Sequence, residues 1–135
     1  MNQSYNLLKH RTFSSCIKKF LDSFPDSEKE KAKKQLIVAL QKIIASPTEC
    51  KPLQDLSNPK LHGIVRRTYV GGNQNRRLIF IFPHRQNHII PFYISDEKRA
   101  DFDYDEHIKE IETIAEEISQ DYSRKNYAAF ENWKA

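Results

Sequence analysis

The sequence predicts an α+β fold, in which a small antiparallel β-sheet carries an N-terminal helical hairpin on one face and an extra C-terminal helix. Apolar residues recur at helical spacing in two stretches before residue 47 and in one stretch after residue 105. The segments between them are rich in β-branched and aromatic residues. With 135 residues, the chain is long enough for one domain with its own core. We expect that domain over residues 1–121. A polar tail with scattered aromatic residues follows over 122–135, loosely docked or disordered.

The N-terminal part predicts a short strand and the two helices of the hairpin. The candidate strand is Ser4–Leu8, and the apolar stripe of the first helix runs from Phe13 to Phe24 at steps of three and four residues. Pro25 interrupts this pattern, and Pro47 ends the second helix. The buried stripe of the second helix comprises Leu36, Ile37, Leu40, Ile43 and Ile44.

Three strands are predicted in the middle of the chain. Gly63–Val70 is the first of them, and the sequence Gly71-Gly72-Asn73 is typical of a turn. Leu78–Phe82 is wholly apolar, as in a central strand that is covered on both faces. His88–Ser95 is the third strand, in which Pro91 indicates a bulge or an edge position.

The C-terminal stretch from Asp105 to Ser119 predicts an acidic helix. Nine acidic residues and one lysine lie between Asp101 and Asp121. This helix either extends the core or covers the basic surface as a brake, and we favour the first interpretation. Its apolar face would be formed by Ile108, Ile111, Ile114, Ala115 and Ile118.

The middle of the chain is basic, although the net charge of the whole chain is only +4. Eight basic residues oppose two acidic ones between Lys60 and Arg99, and six of the eight are arginines. A guanidinium group donates hydrogen bonds in a planar fork that matches a phosphate, so this composition favours phosphate recognition over a merely solvated surface. The eight are Lys60, Arg66, Arg67, Arg76, Arg77, Arg85, Lys98 and Arg99.

Several functional classes are disfavoured. The apolar runs are too short to span a bilayer, and the polar N-terminus lacks a secretory signal. His84 and His88 alone have a spacing of four, and no third metal ligand accompanies them. The glycines match no phosphate-binding loop, so we expect no cofactor and no metal. Cys16 and Cys50 are interpreted as buried thiols of a cytoplasmic protein.

Arginine and tyrosine remain as the residues that could carry chemistry. In an extended strand Val65, Arg67 and Tyr69 share one face, and Arg77 opens the next strand. Lys98, Arg99 and Tyr104 follow the third strand. Such a set suits metal-free RNA cleavage, in which guanidinium groups stabilise the charge that develops on the attacked phosphate. The general base stays open among Lys98, Tyr104 and His84, because arginine remains protonated.

The run from Tyr5 to Tyr104, about three quarters of the chain, resembles the RelE/ParE superfamily of bacterial toxins. The similarity begins with the Tyr5…Phe13 entry from strand to helix and the two-helix hairpin. Its further parts are Pro52-Leu53, the segment from Leu61 to Arg67, the Arg77-Leu78-Ile79-Phe80 strand and the closing Lys98-Arg99-Ala100-Asp101-Phe102-Asp103-Tyr104.

The resemblance to RelE-like members implies ribosome-dependent cleavage of messenger RNA and a cognate antitoxin as partner. Arg67 falls near a position that is often lysine in RelE, which leaves the general base undecided. The alternatives are a ParE-like inhibitor of DNA gyrase and a non-catalytic module that binds nucleic acid or protein. The resemblance implies Arg77, Arg99 and Tyr104 as catalytic residues, and Lys98 joins them as a candidate base. The expected RNA-binding residues are Arg66, Arg67, Arg76 and Arg85.

Overall fold

The computed structural model describes residues 5–53, 56–71, 76–83, 88–95, 104–124 and 130–133. The predicted α+β fold is confirmed, and the predicted elements occur in the expected order, whereas β2 and β6 were not expected from the sequence. The helices are α1 (Phe13–Asp22), α2 (Lys29–Ala45) and α3 (Tyr104–Ser123). The strands are β1 (Asn6–His10), β2 (Lys51–Pro52), β3 (Val65–Val70), β4 (Arg76–Ile81), β5 (His88–Ile94) and β6 (Phe130–Trp133).

The strands form one mixed sheet in the order β2-β3-β4-β5-β1-β6. Adjacent strands are antiparallel except β1 and β5, which run parallel with Leu7 opposite Ile89. The prediction of a purely antiparallel sheet is therefore wrong at β1. Two helices and three strands separate β1 from β5, which is more than the chain length that a parallel crossover requires. The apolar pattern of a strand carries no information about its direction.

Helices α1 and α2 cover one face of the sheet. They follow each other in the chain and touch, but α1 packs mainly on β5 and α2 mainly on β3. The predicted hairpin is thus matched in part, because each helix rests on the sheet more than on its neighbour. The core on this side includes Phe13, Phe20, Leu36, Leu40, Ile43, Leu78 and Phe80.

Helix α3 covers part of the opposite face. Its residues Ile111, Ala115 and Ile118 are buried, and Ile108 and Ile114 pack beside them, as the helical spacing predicts. Their sheet partners include Val65, Ile79, Ile81, Ile90 and Phe92. The sheet therefore has helices on both faces, and α3 is part of the core.

A bulge interrupts the pairing of β4 with β5 at Pro91. Ile79 lies opposite Tyr93, but the next residue, Phe80, lies opposite Pro91, so β5 has one extra residue at Phe92. As a consequence, the consecutive residues Phe92 and Tyr93 both pack on the side of α3. This confirms the bulge that Pro91 indicates, whereas an edge position is wrong because β5 lies between β4 and β1.

The described part of the C-terminal tail adds a strand to the sheet. Strand β6 pairs antiparallel with β1, whose other edge is already occupied by β5. The junction is closed by the fully buried His10, whose Nε2 lies 2.8 Å from Asp121 Oδ2 and whose Nδ1 lies 2.9 Å from Thr12 Oγ1. The ring of Phe130 packs edge-on against His10 at 5.1 Å between centroids.

The role of α3 in the core predicts a large effect of Ile118→Ala on stability. Ile118 is fully buried, so the substitution leaves a cavity and is expected to lower the free energy of unfolding by about 2–5 kcal/mol. Urea denaturation followed by circular dichroism measures this change. Thr113→Ala, at an exposed position of the same helix, is the control and should change the free energy by less than about 0.5 kcal/mol. Equal unfolding midpoints for the two variants would contradict the packing of α3.

Candidate functional site

The sheet face under α3 changes from apolar to polar along the strands, as shown by successive rows of neighbouring residues across β3, β4 and β5. In the first row Val65, Ile81 and Ile90 lie side by side on β3, β4 and β5. In the second row Arg67 lies opposite Ile79, which itself lies opposite Tyr93. In the third row Tyr69 lies opposite Arg77. The apolar face of α3 packs with the first row and with Ile79 and Tyr93 of the second, whereas Arg67, Tyr69 and Arg77 lie toward the other end of the strands.

Tyr69 is the centre of a cluster that it forms with Arg67 and Arg77. Nη1 of Arg67 donates a hydrogen bond of 3.0 Å to the Tyr69 hydroxyl. The two guanidinium groups lie 5.6 Å and 5.5 Å from the centre of the Tyr69 ring. Cation–π contacts at such distances contribute roughly 0.5–1 kcal/mol each where they are exposed. Two positive charges therefore lie close to the ring and its hydroxyl.

These charges change the acidity of Tyr69. Burial alone would raise the pKa of the Tyr69 hydroxyl, but the charge and hydrogen bond of Arg67, followed by those of Arg77, lower it below its ordinary value. A nearby cation favours the ionised phenolate because it attracts the negative charge. The half-buried hydroxyl is thus a proton donor or acceptor that is more easily ionised than that of an isolated tyrosine.

Arg77 is the buried member of this cluster. Its side chain is only 4% exposed, although the residue stands at the start of β4 as predicted. Its backbone nitrogen donates to Ser95 Oγ at 2.8 Å, and the Ser95 nitrogen donates to the Arg77 carbonyl oxygen at 2.9 Å. Because its side chain is buried, Arg77 contacts the Tyr69 ring and positions it.

Arg66 and Arg76 do not join this cluster, because their side chains point to the opposite face of the sheet. The Arg66 guanidinium donates to three carbonyl oxygens, those of Gly63, Thr48 and Cys50, at 2.9, 3.3 and 3.0 Å. Arg66 therefore fixes the segment before β2. The Arg76 guanidinium lies over two phenylalanine rings, Phe20 at 5.3 Å and Phe24 at 4.9 Å. Of the expected RNA-binding arginines, Arg67 is the one that lies in the cluster among the described residues.

Arg85, Lys98 and Arg99, together with the candidate base His84, lie outside the described residues. Tyr104 begins α3, and its side chain is outside the described part of the chain.

Sequence reasoning placed Tyr69 beside Arg67 but gave it no chemical role. The spacing does indicate that these residues are close, because residues 67 and 69 share a strand face and a Gly-Gly turn joins their strand to the one that Arg77 opens. The spacing does not give the register in which β3 pairs with β4. Only the pairing of Tyr69 with Arg77 shows that both cations act on one hydroxyl.

Two acidic residues of α3, Glu112 and Glu116, contact the loop between β2 and β3. Glu112 accepts hydrogen bonds of 2.7 Å from both the backbone nitrogen and the hydroxyl of Ser57, which lowers the pKa of its carboxyl group. Asn58 Nδ2 donates to Glu116 at 3.4 Å. Nearer the cluster, the Tyr93 hydroxyl donates to Glu110 at 3.4 Å. These contacts agree with α3 as an extension of the core.

No protein-family model and no curated protein matches this chain. Within the described ranges, no helix is long and apolar enough to cross a membrane. The same residues contain no group of three or more His, Cys, Asp or Glu side chains that could hold a metal ion.

The geometry predicts that removal of Arg67 raises the pKa of Tyr69. The chain has six tyrosines, so the ionisation of Tyr69 is obtained as the difference between the ultraviolet titrations of the wild type and of Tyr69→Phe. We expect a midpoint below about 10, the ordinary value for tyrosine. The same difference measured in an Arg67→Ala background should have a higher midpoint.

Arg11→Ala is the matched control for this titration. Arg11 is exposed and pairs with Glu117 at 3.3 Å, away from the cluster. Its removal should leave the midpoint of Tyr69 unchanged. An equal midpoint with and without Arg67 would show that the contact between Arg67 and Tyr69 does not exist in solution.

Proposed function

We propose that this chain is a RelE-like toxin of a toxin–antitoxin pair, which cleaves messenger RNA on the ribosome without a metal ion. The observation that supports the proposal most is the Tyr69 hydroxyl, held between Arg67 and Arg77 at the polar end of the sheet face. The similarity of residues 5–104 to the RelE/ParE superfamily supports it further. The same similarity implies a cytoplasmic protein whose activity an antitoxin blocks.

The cluster has two of the chemical abilities that cleavage of a phosphodiester needs, a base and a group that stabilises negative charge. The 2′-hydroxyl of the nucleotide attacks its own 3′-phosphate to form a 2′,3′-cyclic phosphate, and the 5′-oxygen of the next nucleotide leaves and takes a proton from solvent water. Tyr69, whose pKa is lowered, accepts the proton of the attacking hydroxyl. Arg67 donates to the phosphate oxygens as their negative charge grows, and the buried charge of Arg77 keeps Tyr69 in place.

The general base is therefore assigned to Tyr69 in this proposal. A base must reach the proton that it removes and must have a pKa that favours transfer. Tyr69 is half-exposed, lies beside a guanidinium that can bind the phosphate, and ionises more easily than an ordinary tyrosine. Its ring can also stack on a nucleobase, as aromatic side chains commonly do with single-stranded RNA.

The proposal predicts that Tyr69→Phe removes most of the cleavage. The chain is induced alone in bacteria, and the ends of messenger RNA are mapped by primer extension. Loss of a general base is expected to lower the cleavage rate about 10²–10⁴-fold. Arg67→Ala is expected to lower it about 10²–10³-fold because a donor to the developing charge is lost. Arg77→Ala and Arg99→Ala should also abolish toxicity.

Two controls separate chemistry from folding. Tyr122→Phe also removes a tyrosine hydroxyl, but one near the C-terminal end of α3 that lies 2.9 Å from His88 Nδ1. This variant should leave cleavage intact. Arg11→Ala removes an exposed arginine outside the cluster. Because Arg77 is buried, the unfolding midpoint of Arg77→Ala is measured as well.

Each outcome decides between functions. New cuts within translated frames that are absent in Tyr69→Phe would support the nuclease. Growth arrest with intact messages would contradict it and favour a ParE-like action on DNA gyrase. Harmless expression of a folded wild-type chain would contradict both and favour a binding module.

A further inference from the structure

A small pocket adjoins the Tyr69 cluster at the edge of the sheet. It has a volume of about 150 Å³, and Arg67 and Tyr69 form one of its walls. The exposed residues Lys42 of α2, Lys51 of β2 and Glu49 also line it. The pocket therefore connects the helical side of the sheet with the side that carries Tyr69.

The pocket exists because β2 is only two residues long. Strand β2 pairs with Arg66 and Arg67, and the residues before it turn away into a short 3₁₀ helix, Pro47–Glu49. The edge of β3 beyond Arg67 is thus not covered by β2. The hydrogen bonds from Arg66 to the carbonyl oxygens of Thr48 and Cys50 fix the wall that this turn creates.

The charges of the lining favour an anion. Three cationic side chains, Lys42, Lys51 and Arg67, oppose the single carboxylate of Glu49. Burial raises the pKa of the Cys50 thiol in this lining, and the charges of Lys42 and Arg66 and a hydrogen bond with Thr68 oppose that increase only in part. An anion that enters the pocket replaces part of its hydration by these cations.

The size of the pocket limits the anion. Pockets that bury a drug-sized ligand or a cofactor measure about 300–1,000 Å³. A volume of about 150 Å³ is enough for a phosphate group with a few water molecules. The walls that it shares with Arg67 and Tyr69 would then lie next to the nucleotide at the cluster.

We propose that this pocket is a phosphate subsite, in which Lys42 and Lys51 hold a backbone phosphate of single-stranded RNA next to the phosphate at Tyr69. The inference rests on the proposed function, since it assumes that RNA lies at the cluster. Its consequence is that the strand follows the edge of β3 and turns toward α2. The lysines bind the RNA and take no part in the chemical step.

Binding of an uncleavable RNA tests the subsite without requiring cleavage. The probe is a fluorescein-labelled 2′-O-methyl RNA about ten nucleotides long, which is within the usual length of single-strand sites. Its Kd is measured by fluorescence anisotropy over a series of salt concentrations. For single strands, each phosphate contact contributes about 0.7 to the slope of log K against log salt concentration. Lys42→Ala and Lys51→Ala should each weaken binding, and the double variant, which loses the whole contact with this phosphate, should reduce the slope by about 0.7.

Two kinds of control variant are available: lysine variants that should leave the salt dependence unchanged, and a glutamate variant that should tighten binding. Lys18→Ala and Lys31→Ala remove exposed lysines of α1 and α2 that do not line the pocket, so they should leave the slope unchanged. Glu49→Gln removes the opposing carboxylate and should tighten binding several-fold. The Tm of each variant should equal that of the wild type, because all five positions are exposed.

The outcomes distinguish the subsite from the proposed function. A wild-type slope in the Lys42→Ala/Lys51→Ala double variant would overturn the subsite, even if the wild-type chain cleaves messages in cells. A reduced slope in a chain that never cleaves would support the subsite and leave the nuclease refuted. Inorganic phosphate is the second probe, and its effect on the Tm is measured for the wild type and the double variant. If phosphate raises the Tm of the wild type alone while both chains bind RNA equally, the pocket binds a small phosphate. That result would overturn the assignment to RNA.

Discussion

The register between β3 and β4 is the constraint on which the rest of the site depends. It sets Val65 opposite Ile81, Arg67 opposite Ile79 and Tyr69 opposite Arg77. A slip of one residue would turn Arg67 and Tyr69 to the helical face and Thr68 to the side of α3. The buried rows under the helices make such a slip costly, because every apolar side chain of the strand would change faces as well. The position of Tyr69 between two guanidinium groups is thus a consequence of core packing.

Coverage of the sheet on both sides explains why the polar cluster lies at one end of the strands. Helices α1 and α2 bury the first face, and the apolar residues of α3 bury part of the second. Full burial of one isoleucine contributes about 1.5–3 kcal/mol, so Ile111 and Ile118 firmly attach α3 to its part of the face. The face beyond them carries Arg67, Tyr69 and Arg77. Short β2 then leaves the adjacent edge of β3 uncovered, and the proposed phosphate subsite lies there.

Much of the fold could be predicted from the sequence, because apolar spacing identifies helices and strands of this length. The spacing in α3, for example, gave its buried face correctly. Spacing does not give strand direction or partners, so the parallel pairing of β1 and the addition of β6 were missed. For the site, alternation separated Arg67 from Arg66 but did not show which face stays open. Which face stays open depends on where α3 packs. For this reason, the hydrogen bonds of Arg66 to the segment before β2 and the contact of Arg67 with Tyr69 could be identified only in the structure.

The central claim is that RNA lies against the Tyr69 end of the sheet, and photochemical crosslinking tests it most directly. A message with thiouridine at the codon in the ribosomal A site is irradiated in the presence of the full chain, and the crosslinked peptides are identified by mass spectrometry. The claim predicts crosslinks to the peptide that contains Arg67 and Tyr69, which should disappear when unlabelled RNA competes. Crosslinks confined to α3, or to the faces of α1 and α2 that point away from the sheet, would contradict it.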